Sequence, residues 1–343
     1  MMSLDSYRLL GRSGLRVSPL CLGTMTFGTA WGWGAEKDEC RKITQHFLES
    51  GGNFIDTANY YTGGESESML GEFLSGRRQE VVLATKYTLS MQPGNPNAGG
   101  NHRKCMVESI EASLKRLGTD YIDLYWLHIW EDLTPVDEIM RAFDDLVRAG
   151  KVLYIGISDA PAWRVSQANT LAELRGWSKF IALQIEYSLL ERTPERDLIP
   201  MAIEMGLGVT PWSPLGSGIL TGKYNDSASP EGSQRAAIMS DKLTERNINI
   251  ARVVSQVAQD SGCTPAQVAL RWNLNQQGVV SPIIGARTLK QLQDNIDCLK
   301  IQITPEQSAQ LHDASAIKLG FPHDFTAKAS IVERIRGGTK IES

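Results

Sequence analysis

The chain has 343 residues, 42% hydrophobic and 22% charged, with a formal net charge of −4. That length suits one large α/β barrel or two ordinary domains, and the near-neutral balance without a basic run argues against nucleic-acid or membrane-surface binding, leaving small molecules as partners. Five cysteines, odd in number and without a C-x-x-C pair, read as reduced thiols of a cytoplasmic protein. No run reaches transmembrane length, and the opening residues, with Asp5, Arg8, Arg12 and Arg16, lack the apolar centre of a leader.

Taken in order, Tyr7–Leu10 and Leu15–Ser18, separated by Gly11-Arg12-Ser13-Gly14, predict a short hairpin acting as a lid on one end of something larger. Leu20–Gly23 is the first buried strand, and a loop rich in Gly and Trp leads to a helix from Asp38, a plausible cap, to Ser50. A unit then repeats. Strand Phe54–Ile55 precedes helix Glu65–Ser75; strand Val81–Thr85 precedes helix Arg103–Leu117, stopped by Gly118; strand Ile122–Leu127 precedes helix Val136–Arg148, closed by Gly150. The second half continues with strand Val152–Ile157, helix Ala162–Arg175, strand Ile181–Ile185, helix Pro194–Met205 and strand Gly208–Trp212. A long excursion containing helix Lys242–Ser261 follows, then helix Pro265–Gln276, strand Val279–Ile284 and helix Leu289–Leu299. Uniformly apolar strands, each followed by a helix, are expected to be parallel and covered by helices. The economical closure is an α/β fold of the (β/α)8 TIM-barrel type in a single domain, with the barrel over about residues 20–300, the hairpin at about 7–18 and a C-terminal helix and tail at about 304–343. The alternative, a doubly wound open sheet, lacks its G-x-G-x-x-G at the first helix.

The stretch Asn53–Gly71, NFIDTANYYTGGESESMLG, carries the chemistry. Its strand ends in Asp56; the next ends in Lys86 and the third in His128, with Tyr61 in the loop after Asp56. Strand ends of a parallel barrel converge at one mouth, so these four residues are expected to meet. A Tyr hydroxyl is a poor acid at neutral pH, and a neighbouring ammonium is expected to lower its pKa. Lys86 takes that part, Asp56 holds Lys86 charged and oriented, and His128 hydrogen-bonds a substrate oxygen. The set suits proton delivery to a carbonyl oxygen whose carbon receives a hydride. The bland alternative for each residue alone is a satisfied strand-end ion pair.

From about Tyr7 to Leu299 the chain resembles the aldo-keto reductases. The motifs that carry the resemblance are GLRVS near the start, DTANYYTGGESESMLG, ATK, SLKRLGTDYIDLYWLH, GKVLYIGIS, WSPLGSGILTGKY and GARTLKQLQDN. The family's Asp, Tyr, Lys and His tetrad matches Asp56, Tyr61, Lys86 and His128, with Tyr61 and not Tyr60 at the motif's tyrosine. The resemblance implies a nicotinamide dinucleotide, NADP(H), held in the barrel mouth without a glycine fingerprint. It places Ser158, Asp159 and Gln184 on the nicotinamide carboxamide and Trp212 under its ring, with Asp159 standing where the family often has Asn. The loop from Ser213 through Pro214 and Leu215 to Lys223 is expected to strap the pyrophosphate, with Gly216 and Gly218 letting backbone N–H groups approach and Lys223 adding charge. At the adenosine end the resemblance points to Gly285, Arg287, Gln291, Asp294 and Asn295. Arg287, before a helix N-terminus, suits the extra phosphate of NADPH.

Phe27, Trp31, Trp33, Tyr87 and Trp130 are expected to shape a pocket for a small-molecule carbonyl, although loop packing explains Trp31 and Trp33 as well. The segments Pro93–Asn101 and Asn225–Ser240 are expected to be mobile and to close over the cofactor. The histidines show no metal-ligand spacing, so no metal is expected. The expected reaction is reduction of aldehydes, ketones or dicarbonyls by NADPH. Oxidation of a sugar or alcohol on the same site is an alternative. The chain also resembles the cytoplasmic β subunits of potassium channels, which share the WSPL and GKY stretches and bind the cofactor as modules; they typically lack the tetrad histidine. A monomer and a homo-oligomer fit the sequence equally.

Overall fold

The computed structural model describes residues 2–225 and 240–339. Most of the expected loop Asn225–Ser240 lies outside the described residues. Arg8–Leu9 (β1) and Arg16–Val17 (β2) pair antiparallel as a hairpin. Its turn is pressed against the barrel floor: the Arg12 N–H donates to the Gly206 carbonyl at 2.7 Å. A Cβ on Gly11, where φ is +59°, would stand 2.3 Å from the Ile181 carbonyl oxygen, so only glycine fits. Leu10 and Val17 bury completely among Cys21, Phe54, Val82, Leu124 and Trp126. The hairpin therefore plugs the end opposite the functional loops.

Eight parallel strands follow. They are Cys21–Gly23 (β3), Phe54–Asp56 (β4), Val82–Tyr87 (β5), Ile122–Leu127 (β6), Val152–Ser158 (β7), Phe180–Glu186 (β8), Gly208–Trp212 (β9) and Ile283–Gly285 (β10). They lie in the order β10-β3-β4-β5-β6-β7-β8-β9. Closure between the first and last comes from a parallel bridge of Val209 with Val279, where the Val209 N–H donates to the Gly278 carbonyl at 3.0 Å and the Val280 N–H to the Val209 carbonyl at 2.9 Å. The run expected as one strand from Val279 to Ile284 is thus split. Val279 and Val280 pair with β9, Pro282 has no N–H to give a ladder, and only Ile283–Gly285 pairs with β3.

The helices between the strands are Lys37–Glu49 (α1), Glu65–Phe73 (α2), Arg103–Leu117 (α3), Val136–Arg148 (α4), Ala162–Arg175 (α5), Leu198–Met205 (α6), Glu245–Ser261 (α7), Pro265–Leu274 (α8) and Leu289–Asp297 (α9). Pro305–Ser315 (α10) adds the C-terminal helix, with short exposed helices His323–Thr326 (α11) and Ala329–Arg336 (α12) beyond it. Three starts differ from expectation: α1 opens at Lys37 with Glu36 at the cap position, so Asp38 lies within its first turn and is not the cap. The α7 helix opens at Glu245 because the Thr244 hydroxyl accepts the Asn247 N–H as its cap. In the sixth unit Thr193–Glu195 forms a separate 3-10 turn, leaving Leu198 to begin α6. No helix among the described residues is long and apolar enough to cross a membrane.

Alternation along the strands sorts side chains into two cores. Leu83, Tyr125, Leu127, Ile155, Ile157, Leu183 and Val209 pack outward under the helices, while Val82, Ala84, Leu124, Trp126 and Ala182 fill the barrel axis. Continued toward the C-terminal ends, the inward rows finish in polar groups. That is where the site forms.

Candidate active site

Asp56 ends β4, directly beside Ala84 in the ladder, and two residues further along β5 the inward position is Lys86. The pair is fully removed from water, Lys86 being 0% and Asp56 2% exposed. Two buried charges cost several kcal/mol each unless every hydrogen-bonding valence is used. Here they are used: the Lys86 ammonium donates to Asp56 Oδ1, to the Thr57 carbonyl at 2.8 Å and to the Tyr61 hydroxyl oxygen at 3.1 Å. The other Asp56 oxygen accepts from Gln184 Nε2 at 3.1 Å. An ammonium can only donate, so Tyr61 receives that bond through its oxygen and its own hydroxyl hydrogen is left for the mouth.

Tyr61 reaches this place through a run of left-handed residues, Thr62 at φ 48°, Gly63 at 67° and Gly64 at 92°, before α2 starts. The Thr62 hydroxyl donates to the Phe27 carbonyl at 2.8 Å and the Ser66 hydroxyl to the Thr24 carbonyl at 2.9 Å, tying this loop to the one after β3. His128 follows β6, and its ring meets Tyr61 edge-on with centroids 6.1 Å apart.

Burial dominates the titration of the site. It raises Tyr61 above its ordinary value; Lys86 pulls the other way, as expected from the sequence, yet does not prevail. For Lys86, burial pulls down, but the Asp56 carboxylate and Tyr61 together more than reverse it, so the ammonium stays charged. Burial, with a smaller addition from the Lys86 charge, pushes His128 from 6.5 down to about 3. The imidazole is therefore neutral at pH 7. Its Nδ1 is buried and has no hydrogen-bond partner among the described residues. An orphaned acceptor is better tolerated than an orphaned N–H, which assigns the hydrogen to Nε2.

The aromatic residues expected around the mouth divide. Trp31 stands beside the site, its ring 5.6 Å from Trp33, 5.9 Å from Tyr60 and 6.4 Å from Tyr61. Trp130 sits beyond β6, its Nε1 donating to Asp132 at 3.0 Å and the Arg164 guanidinium 5.3 Å from its ring. Phe27 and Tyr87 do not reach the mouth. Phe27 is fully buried in the outer core, and Tyr87, next to inward-facing Lys86, points outward by alternation and stacks on Tyr125 at 5.3 Å. Pro93–Asn101, expected to be free, is anchored at its end, where Asn101 is fully buried.

The Aldo/keto reductase family model matches residues 19–316, most of the barrel. The chain belongs to the aldo/keto reductase family. Norsolorinic acid reductase of Aspergillus flavus is 39% identical over 335 residues, covering 94% of this chain and 84% of that protein. Norsolorinic acid reductase of Emericella nidulans is 40% identical over 323 residues, covering 91% and 82% respectively. An aryl-alcohol dehydrogenase of Pestalotiopsis microspora is 39% identical over 332 residues, covering 94% and 85%. Membership makes the chain an oxidoreductase.

In this aldo/keto reductase several of the residues expected around a dinucleotide make contacts within the chain. Gln184 is committed to Asp56 through its amide nitrogen. Ser158, 1% exposed, ends β7 opposite Gln184 in the ladder. Asp159, at a left-handed φ of 44°, accepts the Trp212 indole N–H at 3.0 Å, which fixes the indole plane at the end of β9. Burial raises the Asp159 carboxyl, against the pull of Trp212 and Ser158.

The loop after Trp212 is closed by hydrogen bonds of its own. The Gly216 N–H goes to the Ser213 carbonyl at 2.8 Å, the Ser217 N–H to the Ser213 hydroxyl at 3.0 Å and the Gly218 N–H to the Leu215 carbonyl at 2.9 Å. These three amides close tight turns of their own. Pro214 is buried within the turn, and the Lys223 ammonium lies 4.7 Å from the Tyr224 ring, near Gly218.

At the far end, Gln291 accepts the Arg287 N–H at 2.8 Å, and Asn295 donates to the Gly285 carbonyl at 3.4 Å. Arg287 is exposed, one residue before the Thr288 cap of α9. The Asp294 carboxylate accepts from the Thr264 hydroxyl and from Gln267 Nε2 at 2.8 Å, joining α9 to α8. Two contacts of the ion pair have no readable signal, although Gln184 itself is expected from the sequence at the cofactor. The Thr57 carbonyl is a backbone group that any residue supplies, and Gln184 lies 128 positions from the Asp56 it supports.

Proposed function

We propose that this protein is an NADPH-dependent carbonyl reductase of the cytoplasm, acting on aryl aldehydes and ketones. The observation that carries the reading is the Lys86 ammonium donating to the Tyr61 oxygen at 3.1 Å, which leaves the phenolic hydrogen as a proton source at the mouth. His128, neutral and donating through Nε2–H, orients the carbonyl oxygen. Tyr61 then passes its proton to that oxygen, and the buried Lys86–Asp56 pair holds the phenolate charge left behind. Trp212 would hold the nicotinamide of such a cofactor, which when bound would supply the hydride for the carbonyl carbon. The donor set fits such a group: an indole plane locked by Asp159, a buried Ser158 hydroxyl, and Arg287 at a helix start for the 2′-phosphate.

The cluster of tilted rings Trp31, Trp33 and Tyr60 beside Tyr61 supports a flat, apolar substrate, as do the aryl alcohols in the names of relatives. Those same names keep the oxidising direction open, since the chemistry is reversible. Five cysteines in the chain, all free, fit a reducing compartment. The test is NADPH oxidation against a panel of aryl aldehydes, dicarbonyls and aldoses, run beside Tyr61→Phe. Turnover that Tyr61→Phe abolishes, with NADPH still bound, is the expected result. Tight NADPH retention without turnover of any carbonyl would sink the reading in favour of a cofactor-binding module like the channel subunits.

A further inference from the structure

Beyond Lys86 and Tyr87 the chain leaves β5 at Thr88, where φ is +105°. That region is a true outlier for a β-branched residue, and such strain persists only where surrounding contacts hold it. The contacts are specific. The Thr88 carbonyl accepts the Gly100 N–H at 2.8 Å, and the Thr88 hydroxyl donates to Asn101 Oδ1 at 2.8 Å. The same hydroxyl oxygen accepts the His128 N–H at 3.3 Å. Thr88 is 7% and Asn101 0% exposed, so water does not compete for these bonds.

Ladder pairing between β5 and β6 ends at Tyr87 and Leu127. His128 is therefore the first residue past the last rung, and the Thr88 hydroxyl takes the place of the next backbone acceptor. Among the described residues the imidazole Nδ1 has no hydrogen-bond partner, and the neighbouring Tyr61 ring meets it edge-on. Where the ring points is thus decided largely by how the backbone at His128 is anchored.

We propose that Thr88 is a positioning residue whose left-handed backbone, braced by Asn101, hands its hydroxyl to the His128 amide and so fixes where the imidazole meets the substrate carbonyl. The proposal rests on His128 as the group that orients that oxygen. Thr88→Val keeps the β-branch and the shape and removes only the hydroxyl. It is expected to lower kcat roughly tenfold with NADPH affinity unchanged, because small displacements of an orienting group are expensive in rate. Thr88→Ser, which restores the hydroxyl, is expected to recover most of the loss. In a His128→Ala background Thr88→Val is expected to cost less than about twofold, because the two residues act through one another.

Full kcat in a folded Thr88→Val, or fully additive losses in the double variant, would overturn the proposal. If Thr88→Val does not fold, Thr88→Gly, which relaxes φ and also lacks the hydroxyl, carries the same comparison. A readout without turnover separates this idea from the reading beneath it: the imidazole NMR signals of His128, identified by their loss in His128→Ala, are expected to shift in Thr88→Val and to return in Thr88→Ser. Unmoved signals overturn the positioning role. His128→Ala with undiminished turnover overturns the role of His128 and this proposal with it, whereas loss there with none in Thr88→Val overturns this proposal alone.

Discussion

At the scale of single residues the site depends on one buried ion pair. Removing Lys86 leaves the Asp56 carboxylate with Gln184 as its one donor among the described residues, and removing one member of a buried pair typically costs about 3–5 kcal/mol. Lys86→Met is expected to lose stability on that scale in urea unfolding, besides losing turnover; an unfolding midpoint like that of the wild type would mean the pair is better solvated than its burial indicates. His128 makes a prediction of opposite kind. Its folded pKa, about 3, lies below the unfolded value of 6.5, so between those limits the unfolded chain binds a proton that the folded one refuses. Stability contributed by the neutral ring is present above pH 6.5 and is lost as pH falls toward 3, by at most on the order of 5 kcal/mol. His128→Asn is expected to flatten that acid limb, measured as the urea midpoint against pH. Tyr61 adds a sensitivity at the alkaline end, because a raised folded pKa favours the neutral hydroxyl and stability declines once pH passes the ordinary tyrosine value.

At the scale of elements the barrel interior constrains sequence as strictly as the site does. Gly156 on β7 pairs with Trp126 on β6, and a Cβ there would stand 2.3 Å from the indole Cε3. Trp126 is fully buried and has no room to retreat, so Gly156→Ala is expected to destabilise by about 1–3 kcal/mol, read by denaturant unfolding. Equal stability would show that the indole can slide along the axis. Elements also explain which expected residues were reassigned. Tyr87 and Lys86 are neighbours in sequence but face opposite cores, and Asp294 is on the helical face that meets Thr264. The Thr264 cap, with Gln267 completing a capping box, makes that joint between α8 and α9 a structural unit.

At the scale of the whole molecule, eight strands converge on one mouth and a hairpin closes the other end, so a ligand bound at the mouth bridges elements from both halves of the chain. Binding of that kind stabilises the fold by mass action, about 2.7 kcal/mol at a hundred times Kd. NADPH is expected to raise Tm more than NADH at equal concentration, and Arg287→Ala to remove the difference. Equal shifts for both cofactors in the wild type would sink the 2′-phosphate assignment of Arg287. The same convergence explains what could be read in advance. Strand and helix order, and the identity of Asp56, Lys86 and His128 as strand-end residues, follow from periodicity and from charged groups closing apolar runs. Boundaries that depend on a single hydrogen bond did not follow: the break at Pro282 and the late start of α7 at Glu245 are each set by one local donor or its absence.

The sequence by itself determined that strands and helices alternate, that the strands are parallel, and which side chains arrive at their C-terminal ends, because alternation and capping are local properties of the chain. Tertiary structure alone decided how those side chains share hydrogen bonds. It spent the three Lys86 donors on Asp56, Thr57 and Tyr61, gave Gln184 to Asp56, tied the Gly216 and Gly218 amides into their own turn, and let burial outweigh Lys86 in the titration of Tyr61. The physical reason is that a hydrogen bond and a desolvation cost depend on where distant segments stop in space, to within a fraction of an ångström, and no local pattern records that distance.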